Sequence, residues 1–327
     1  MHSGRNQGVH WPEVRHIAAL GEPLLELQPT EADQIQLSVG GDVANSMLCL
    51  TRILRGSGRQ VSLVTALGSS AYSVWLRNKL EAGGIRLIEA PIMGEPGIYG
   101  IPPGRAQQIP FSYWRACSAA HGFFQTARFE QFAELIPPAD ILVVSGITLA
   151  LCSPETFEGL VRWLSLHGDK CQLVFDINHR APLWSSEAEA RKRVGEFEKL
   201  AAVIATGIED EWNLWQIGGS EAIMKRLRQY SAECVVRAGK EGCWVGSGDR
   251  WDHVPTTAAA VVDTAGAGDA HLAGYIGGRM NGCTVLEAAS FANGVASEIV
   301  GQRGSAPRNE VVFPELPRTP TTGRSGR

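Results

Sequence analysis

Residues 263–269 (DTAGAGD) combine two features that chemistry on a phosphate group needs, a glycine-rich turn and a carboxylate. Small and apolar residues recur at helical spacing from Ala270 onward, so the spacing predicts a helix that begins at this turn. The first amides of a helix lack intrahelical partners and carry partial positive charge, and glycine lets a ligand approach them closely. A carboxylate would repel a phosphate there unless it had another task, such as accepting a proton from an attacking hydroxyl. Asp269 is therefore a candidate general base; the alternative is a tight turn whose acid favours the helix dipole.

A second glycine-rich stretch begins at Gly40 and reads GGDVANSMLCLTRI. Apolar residues recur at helical spacing from Val43, and Gly56 ends the pattern, so a helix is predicted here. Asp42 is predicted to be its N-cap. By themselves these residues indicate only the start of a helix.

The elements that would hold these stretches alternate between strands and helices over most of the chain. The predicted strands cover residues 16–20, 61–66, 141–145, 173–177, 202–205, 234–238 and 258–262. The predicted helices cover residues 43–54, 71–80, 129–135, 187–197, 210–217, 221–228 and 285–299, and one more begins at Ser153. Residues 242–246 and 251–254 are predicted to form a hairpin. Alternation of this kind predicts a mainly parallel sheet covered by helices.

Five short extended segments depart from this alternation, and Pro, Gly and polar turns separate them. They cover residues 24–27, 34–39, 85–90, 97–101 and 109–115. We predict that they form a small sheet outside the main domain, with lid segments at residues 24–39 and 85–115 that cover a cleft. The main domain is predicted to extend over residues 16–318, with flexible tails at residues 1–15 and 319–327.

Composition restricts the class of partner. The chain has 327 residues, 44% of them hydrophobic, which is ample for a large core. A net charge of -4 gives no broad basic field, so neither nucleic acid nor an anionic membrane is expected as a partner. The longest apolar run, residues 141–152, is interrupted by polar residues, and residues 1–15 are polar, so neither a membrane span nor a signal peptide is predicted.

The cysteines and histidines argue against a metal site. The seven cysteines are scattered without C-x-x-C pairs, and they are expected to be reduced core residues of a cytoplasmic protein. None of the eight histidines is spaced from a cysteine or a carboxylate as a zinc site requires. P-loop, dinucleotide-binding and nucleophile-elbow motifs are also missing from the sequence, which disfavours P-loop ATPases, classical dehydrogenases and α/β-hydrolases.

The stretch DTAGAGDAHLAG resembles the signature of the ribokinase-like (PfkB) sugar kinases. The resemblance implies an α/β fold, a ribokinase-like three-layer α/β/α domain with a mainly parallel sheet and a small β-sheet lid. It also implies ATP and Mg2+ as cofactors and Asp269 as the catalytic base. The anion hole implied by position consists of Ala265, Gly266, Ala267 and Gly268. His271 stands where the family usually has an aromatic residue, a difference expected to change packing more than chemistry.

The stretch GGDVANSMLCLTRI resembles the second family signature, GGxxxN, whose glycines and asparagine line the sugar pocket. Segments such as FSYWRACSAA, FDINHRAPLW and QRGSAP are similar to the 2-keto-3-deoxygluconate kinases within the family, which implies a sugar acid as substrate and its 6-phosphate as product. Arginine's fixed fork of donors suits a carboxylate, so Arg115 and Arg180 are expected to hold the acid, with Arg180 also close to the transferred phosphate. The sugar-site residues implied by position are Gly41, Asp42, Asn45, Tyr99, Tyr113, Arg115 and Arg180.

For the nucleotide, the stretch RAGKEG resembles the family turn beside the ATP phosphates, in which Gly239 is the main contact. The family motif Asn-x-x-Glu, which helps to hold magnesium through water, is represented by Thr206 and Glu209, with threonine in place of asparagine. Glu209 could equally be an ordinary first-turn acid of a helix. The nucleotide-site residues implied by position are Thr206, Glu209, Arg237, Gly239, Ala265, Gly266, Gly268, Ala292 and Asn293.

These resemblances predict in-line phosphoryl transfer from ATP to a sugar acid, with Asp269 as base. One alternative is a ribokinase-like kinase for a neutral sugar or a nucleoside, and another is a sugar- or nucleotide-binding regulator without activity. The lid adds a prediction about assembly, because a small sheet with an apolar outer side needs a partner surface. Its candidate outer residues are Leu25, Leu27, Ile35, Leu37, Leu87 and Ile109. We expect a homodimer in which each lid covers part of the other.

Overall fold

A nine-stranded sheet forms the centre of the computed structural model, which describes residues 9–30, 34–101, 111–256 and 259–316. In these ranges the strands are β1 (His16–Leu20), β2 (Leu24–Pro29), β3 (Ile35–Gly40), β4 (Gln60–Thr65), β5 (Arg86–Glu89), β6 (Gly97–Gly100), β7 (Ser112–Trp114), β8 (Ile141–Ser145), β9 (Gln172–Asp176), β10 (Ala201–Gly207), β11 (Glu233–Arg237), β12 (Cys243–Ser247) and β13 (Arg250–Val254). The helices are α1 (Asp42–Ile53), α2 (Ala71–Ala82), α3 (Ala119–Thr126), α4 (Phe129–Leu135), α5 (Gly146–Leu151), α6 (Pro154–His167), α7 (Glu187–Leu200), α8 (Ile208–Trp215), α9 (Ser220–Leu227), α10 (Ala267–Met280) and α11 (Val285–Val300).

The large sheet has the strand order β13-β12-β11-β10-β9-β8-β1-β4-β5. Its strands are parallel from β11 to β5, and β12 and β13 add an antiparallel hairpin, so the predicted mainly parallel α/β fold is confirmed. Alternate residues of β8 enter two different hydrophobic clusters, Val143 one and Val144 the other, as expected for a sheet covered by helices on both faces. No helix in the described ranges is long and apolar enough to cross a membrane.

A separate four-stranded sheet forms the lid, in the order β3-β2-β6-β7. Its register places Glu26 beside Tyr99 on one face and Leu25 beside Ile98 on the other. Glu26 and Tyr99 both contact Ser305, which lies next to the glycine turn of α10. The polar face of the lid is therefore the one that is turned toward the candidate site.

The predicted lid segment 85–115 is wrong at its start. The strand β5 pairs in parallel with β4 at the edge of the large sheet, as a strand–helix–strand unit through α2 allows. Leu87 consequently packs against the main core and does not belong to the lid. The second part of the lid consists of β6 and β7, and Ile109 lies outside the described residues.

The predicted strand at residues 258–262 is also wrong. The described part of this segment forms no strand, and Val261 is 64% exposed. The amides of Val262 and Asp263 donate instead to the carbonyl of Val300 at the end of α11. The described part of this apolar run therefore packs against the end of a helix and pairs with no strand. Ala258 lies outside the described residues.

The predicted flexible tail at residues 1–15 is wrong for its last part. Residues Trp11–Glu13 form a 3-10 turn, and the side chains of Trp11 and Val14 are buried in the main core. The guanidinium of Arg279 lies 5.7 Å from the centre of the Trp11 ring, within the range of a cation–π contact. Residues 1–8 and 317–327 lie outside the described ranges.

Two short helices of the structure, α3 and α5, were not predicted. Each begins after a serine, Ser118 or Ser145, whose hydroxyl accepts a hydrogen bond from an amide in the first turn. The helices have only 8 and 6 residues, too few for a helical apolar pattern to stand out. Both capping serines also donate to carboxylates of the candidate site, Glu22 and Asp42.

Candidate active site

The turn before α10 presents backbone amides and a carboxylate together. Gly266 is the N-cap of α10 with φ of 75°, a conformation that favours glycine, and a Cβ there would overlap the carbonyl of Ser305. The amides of Gly266, Gly268 and Asp269 donate to no other described residue. Three N–H groups at a helix N-terminus are therefore available to an anion.

The other two residues of the predicted anion hole have their amides engaged. The amide of Ala265 donates to Asp263 Oδ1 at 3.0 Å, and the amide of Ala267 donates to the carbonyl of Thr264 at 3.3 Å. These bonds hold the turn in shape but remove its first and third residues as donors. The donors of the predicted residues 265–268 are thus reduced to Gly266 and Gly268, with the Asp269 amide beside them.

The carboxylate of Asp269 lies in a strongly acidic environment. Partial burial, Asp42 and Asp176 raise its pKa to about 7, although Asn45 and Arg237 act in the opposite direction. The amide nitrogen of Asn45 donates to Asp269 Oδ2 at 2.9 Å and fixes the orientation of the carboxylate. A carboxylate with a pKa near neutral pH is suited to general-base chemistry.

Asp42 faces the same small cleft as Asp269, which Ser145, Asp176 and Leu272 also line. Its prediction as a helix N-cap is wrong, because Gly41 is the N-cap and the Asp42 side chain caps no amide. Asp42 Oδ2 instead accepts hydrogen bonds from the Ser145 hydroxyl and, at 3.1 Å, from the side-chain amide of Asn178.

Backbone conformation distinguishes the two residues next to Asp42, Gly41 and Asn178. Gly41 has φ of 99°, and a Cβ there would overlap the carbonyl of Glu22. Asn178 is buried with φ of 31°, which is rare for a residue other than glycine and is typical of strained functional positions. Asn178 was not predicted as a site residue, although it belongs to the stretch FDINHRAPLW. Its position after β9 is the signal that could have identified it.

The two arginines predicted to hold a sugar acid differ in their surroundings. Arg115 is buried, and its Nε and Nη2 donate to Glu22 Oε2, with the Nε bond at 2.7 Å. Burial raises the pKa of Glu22, and the charge of Arg115 and the hydroxyl of Ser118 oppose that rise. Arg180 has a side chain that is 52% exposed, and its Nη1 lies 3.5 Å from Asp210 Oδ1. Arg180 is thus the more accessible cation.

The two predicted tyrosines stack on each other, with ring centres 5.9 Å apart. Tyr113 is 50% exposed; burial raises its pKa, while the charges of Arg180 and Arg115 oppose that rise. The Tyr99 hydroxyl donates to Glu26 and lies 2.9 Å from the Ser305 hydroxyl. The Tyr99 hydroxyl is thus engaged by protein groups, whereas the Tyr113 side chain is half exposed.

On the nucleotide side, Arg237 supports the glycine turn from within the protein. Its Nη1 and Nη2 form two parallel bonds to the carboxylate of Asp176 at 2.8 and 2.6 Å, and Nη1 also donates to the carbonyl of Gly268 at 3.0 Å. Burial opposes the charge of Arg237, but its pairing with Asp176 raises its pKa. Arg237 was predicted as a nucleotide contact, whereas its donors are directed at Asp176 and the turn. Asp176 was not predicted.

Thr206 and Glu209 lie on opposite sides of the start of α8. Thr206 is fully buried, and its hydroxyl donates to Glu211 Oε1 at 3.1 Å, so the residue that replaces the family asparagine faces the interior. Glu209 is exposed in the first turn of α8. Its neighbour Asp210 accepts bonds from the amides of His179 and Gly207, so the acid that caps this turn is Asp210.

Gly239 is the most open of the predicted nucleotide residues. It is exposed at the end of β11 with φ of 57°, and a Cβ there would meet no atom within 4 Å. Asn293, in contrast, is buried; its amide nitrogen donates to the carbonyls of Val254 and Pro255, and its oxygen lies 3.2 Å from His271 Nε2. Ala292 is fully buried against α10. Neither side chain on α11 is directed at open space.

His271 is buried beside Asn293, which agrees with the expectation that it changes packing. Burial and the charge of Arg237 lower its pKa to about 3, so the imidazole is neutral at physiological pH. As a neutral group it adds no charge behind the glycine turn.

Comparison with known proteins assigns the chain to a family. The model of the pfkB family carbohydrate kinases matches residues 15–311. The 2-dehydro-3-deoxygluconokinase of Dickeya dadantii is 28% identical over 300 residues, which is 89% of this chain and 96% of that protein.

Solved structures show the same fold. The 2-dehydro-3-deoxygluconokinase from Thermotoga maritima superposes with a TM-score of 0.76 at 22% identity, covering 89% of this chain and 95% of that chain. The fructokinase from Vibrio cholerae O395, solved with fructose, ADP and a calcium ion, has a TM-score of 0.76 at 20% identity, with 89% and 94% covered. The family match spans most of the chain and includes both glycine stretches, so the predicted membership is confirmed: this chain belongs to the pfkB family of carbohydrate kinases, which act on a sugar and ATP.

Proposed function

We propose that the protein transfers the γ-phosphoryl group of ATP to the primary hydroxyl of a sugar acid, 2-keto-3-deoxygluconate, and forms its 6-phosphate. The observation that carries the proposal is the juxtaposition at the start of α10. A carboxylate whose pKa is raised to about 7 lies beside amides of Gly266 and Gly268 that have no acceptor among the described residues. A base and an anion site in one turn are what phosphoryl transfer to a hydroxyl requires.

In the proposed mechanism Asp269 takes the proton of the sugar hydroxyl as its oxygen attacks the γ-phosphorus. The bond between that phosphorus and the β–γ bridging oxygen breaks, and ADP leaves with the electron pair. The amides of Gly266 and Gly268 stabilise the charge on the moving phosphoryl group, and the Arg237–Asp176 pair holds Gly268 in place. Arg180, which is half exposed, is available to approach the same group.

Magnesium fits this site as an ion that keeps phosphate and water ligands. Among the described residues no group of three His, Cys, Asp or Glu side chains could hold a metal ion by itself. The exposed carboxylate of Glu209 would hold the ion through water, which is how Mg2+ commonly binds in kinases. When bound, it neutralises charge on the β- and γ-phosphates of ATP.

The choice of a sugar acid depends on the relatives and on one accessible arginine, Arg180. The Dickeya dadantii relative is a 2-dehydro-3-deoxygluconokinase. 2-Dehydro-3-deoxygluconate is another name for the proposed substrate, 2-keto-3-deoxygluconate. The side chain of Arg180 is 52% exposed, so a carboxylate that binds at the sugar site would meet this guanidinium. Asp42 and Asn45 lie deeper, next to Asp269, where they suit the hydroxyls of the sugar.

One observation favours a second candidate, a kinase for a neutral sugar. Glu22 pairs with Arg115 and cancels its charge, so Arg180 is the stronger attraction for an acid. A coupled assay of ADP release over sugar acids, neutral sugars and nucleosides separates the two. Turnover of 2-keto-3-deoxygluconate well above that of fructose or ribose supports the acid; the reverse order supports the neutral-sugar kinase. No ADP release with any acceptor, despite sugar binding, would favour a non-catalytic regulator.

We also propose a cytoplasmic homodimer formed through the outer face of the lid. On that face the prediction of Leu25 as an outer residue is wrong, because Leu25 is buried in the main core. Ile35 is 67% exposed and Trp114 is 60% exposed, a combination that a second copy of the lid would cover. All seven cysteines are free thiols, in keeping with a reducing compartment. Light scattering of an Ile35→Arg and Trp114→Arg double variant should give a monomer, while Leu166→Arg on α6, an equally exposed apolar position, should leave the dimer intact. A wild-type monomer would contradict the assembly.

A further inference from the structure

Glu26 on the inner lid strand β2 is fully buried, and it accepts more hydrogen bonds than any other carboxylate of the candidate site. Its donors are the Tyr99 hydroxyl, the Gln28 side-chain amide, the Ser38 hydroxyl at 2.9 Å, and the hydroxyl and amide of Ser305 at 2.7 and 3.3 Å. All of these donors are neutral groups. A buried carboxylate that depends on neutral donors holds each of them firmly, because a lost donor leaves the charge poorly solvated.

The donors come from two parts of the molecule. Gln28, Ser38 and Tyr99 lie on lid strands, whereas Ser305 lies after α11, 279 residues further along the chain than Glu26. Ser305 is itself buried and makes its hydroxyl and its amide available to the same carboxylate. Glu26 therefore joins the lid to the segment that follows α11.

That segment packs directly on the glycine turn. The carbonyl of Ser305 occupies the space that a Cβ on Gly266 would need, so the backbone of the two residues is in close contact. The amide of Gly304 donates to Asp263 Oδ2 at 3.0 Å, and the other oxygen of Asp263 accepts the Ala265 amide. A displacement of residues 304–305 would consequently move the turn that presents the free amides.

The same serine also approaches the base. The Ser305 hydroxyl lies 3.4 Å from Asn45 Oδ1, and the amide nitrogen of Asn45 donates to Asp269. Asn45 is buried, so the orientation of its amide is set by these neighbours. The contacts of Ser305 thus extend to both functional parts of the turn, the amides and the carboxylate.

We propose that Glu26 and Ser305 are positioning residues that tie the lid to the glycine turn, so that the position of the lid sets the geometry of the anion site and of Asp269. The inference rests on the proposed phosphoryl transfer but not on the identity of the sugar. Neither residue touches the reacting atoms; Glu26 acts through Ser305, and Ser305 acts through Gly266 and Asn45. The lid then has a second task beyond covering the cleft, because its inner strand helps to align the catalytic turn.

The test compares three variants in the whole protein, each assayed with the best acceptor that the wild type uses. Ser305→Ala removes the hydroxyl that contacts Glu26 and Asn45, and Glu26→Gln keeps the shape but removes the charge. Ser38→Ala is the matched control, because it removes one hydroxyl donor from Glu26 on the lid side only. We expect kcat to fall roughly ten-fold to a hundred-fold in the first two variants, the range for a small misplacement of catalytic groups, and less than about two-fold in the control.

A purely structural role would give a different pattern. It would lower the melting temperature of Ser305→Ala and Ser38→Ala alike while leaving kcat per folded molecule and the pH profile of kcat unchanged. The proposal requires that Ser305→Ala also shift the acidic limb of the kcat–pH profile, since Asn45 orients Asp269. If Glu26→Gln does not fold, the comparison of the two serine variants decides alone, and equal kcat in both overturns the proposal.

The outcomes for the two proposals are distinguishable. Should the wild type use a neutral sugar, the sugar-acid assignment fails while the comparison of Ser305→Ala with Ser38→Ala is made with that sugar. A wild type with normal turnover whose Ser305→Ala variant matches it in kcat and pH profile contradicts the positioning role only.

Discussion

The two sides of Asp269 are built from different parts of the polypeptide. On the proposed sugar side the contacts are side chains: Asn45 donates to Asp269, and Asp42 is held by Ser145 and Asn178. These hydrogen bonds fix the orientation of each group. The sugar side is therefore pre-organised by side-chain hydrogen bonds.

On the proposed nucleotide side the open groups are backbone groups. Gly266 and Gly268 present free amides, and Gly239 borders empty space, while the side chains of Arg237 and Asn293 are engaged inside the protein. Selectivity for a particular sugar needs side chains of distinct shape and charge, whereas phosphate groups are the same in every nucleotide and are bound well by amides. Substitutions on the sugar side should therefore act by removing contacts with the ligand, and those on the nucleotide side by removing side chains that support the glycine turn.

The largest effect is expected from a change of Asp269, which lies between the sugar side and the nucleotide side. Asp269→Asn keeps the shape of the side chain but cannot accept the proton, so kcat should fall about 10²-fold to 10⁴-fold. Binding of ATP and of sugar, measured by calorimetry, should change little because both sides remain intact. A rate above roughly a tenth of the wild type would show that Asp269 is not the base.

On the nucleotide side, a substitution should act by removing a side chain that supports the glycine turn. Asp176→Asn leaves the guanidinium of Arg237 buried without its bidentate partner, and breaking a buried pair costs about 3 to 5 kcal/mol. The free energy of unfolding, measured with urea, should fall by roughly that amount. Glu89→Gln is the control, because it breaks the more exposed pair with Arg77 and should cost about 1 kcal/mol or less. Equal losses would mean that Arg237 is not held by Asp176.

Much of the fold follows from apolar periodicity in the sequence. The strand at residues 141–145 and the helix at 129–135 have the predicted bounds, since each is a short apolar or amphipathic run with clear ends. The wrong predictions concern the element against which a segment packs. The run that ends at Val262 packs on the end of α11, and β5 pairs with β4 in the main sheet. The local sequence pattern indicates neither of these neighbours.

The candidate site shows the same limit of prediction from the local sequence. Residue type predicted that Arg115, Tyr99 and Asn293 lie near the ligands, but it could not show that protein groups already occupy their polar atoms. The partners Glu22 and Glu26 come from a strand and turn far away in sequence. Only the folded chain brings Glu22 to Arg115, Glu26 to Tyr99, and the carbonyls of Val254 and Pro255 to Asn293, so their engagement could not be predicted from spacing.

On the sugar side, a substitution should act by removing a contact with the sugar acid. Arg180→Ala should weaken a sugar acid about ten-fold to a hundred-fold and a neutral analogue much less, since a hydrogen bond to a charged group contributes about 1.5 to 3 kcal/mol. Arg228→Ala is the matched control, because Arg228 is similarly exposed and lies 3.6 Å from Asp249 as Arg180 lies 3.5 Å from Asp210. For each variant KM is measured with the sugar acid and with the neutral analogue. If Arg180→Ala raises the two KM values equally, Arg180 does not bind a carboxylate.

The smallest expected effect concerns charge on the sugar side. Only the deprotonated carboxylate of Asp269 can act as base, so with a pKa of about 7 in the free enzyme kcat/KM for the sugar should fall as pH falls through 7, about ten-fold for each unit below it. Asp42 contributes to the raised pKa, so Asp42→Asn should move this acidic limb to lower pH, by up to about one unit.

The measurement is kcat/KM for the sugar from pH 5 to 9, with each profile scaled to its own plateau at high pH because Asp42→Asn is also expected to raise KM. Relative to its own plateau at high pH, the variant should keep more of its activity at pH 6 than the wild type does. Asp140→Asn is the control; Asp140 accepts bonds from the amides of Arg15 and His16 and contributes nothing to the pKa of Asp269. A limb that stays in place, or moves to higher pH, would show that Asp42 does not act on the base, and the sugar side would then differ from the nucleotide side in its hydrogen bonds alone.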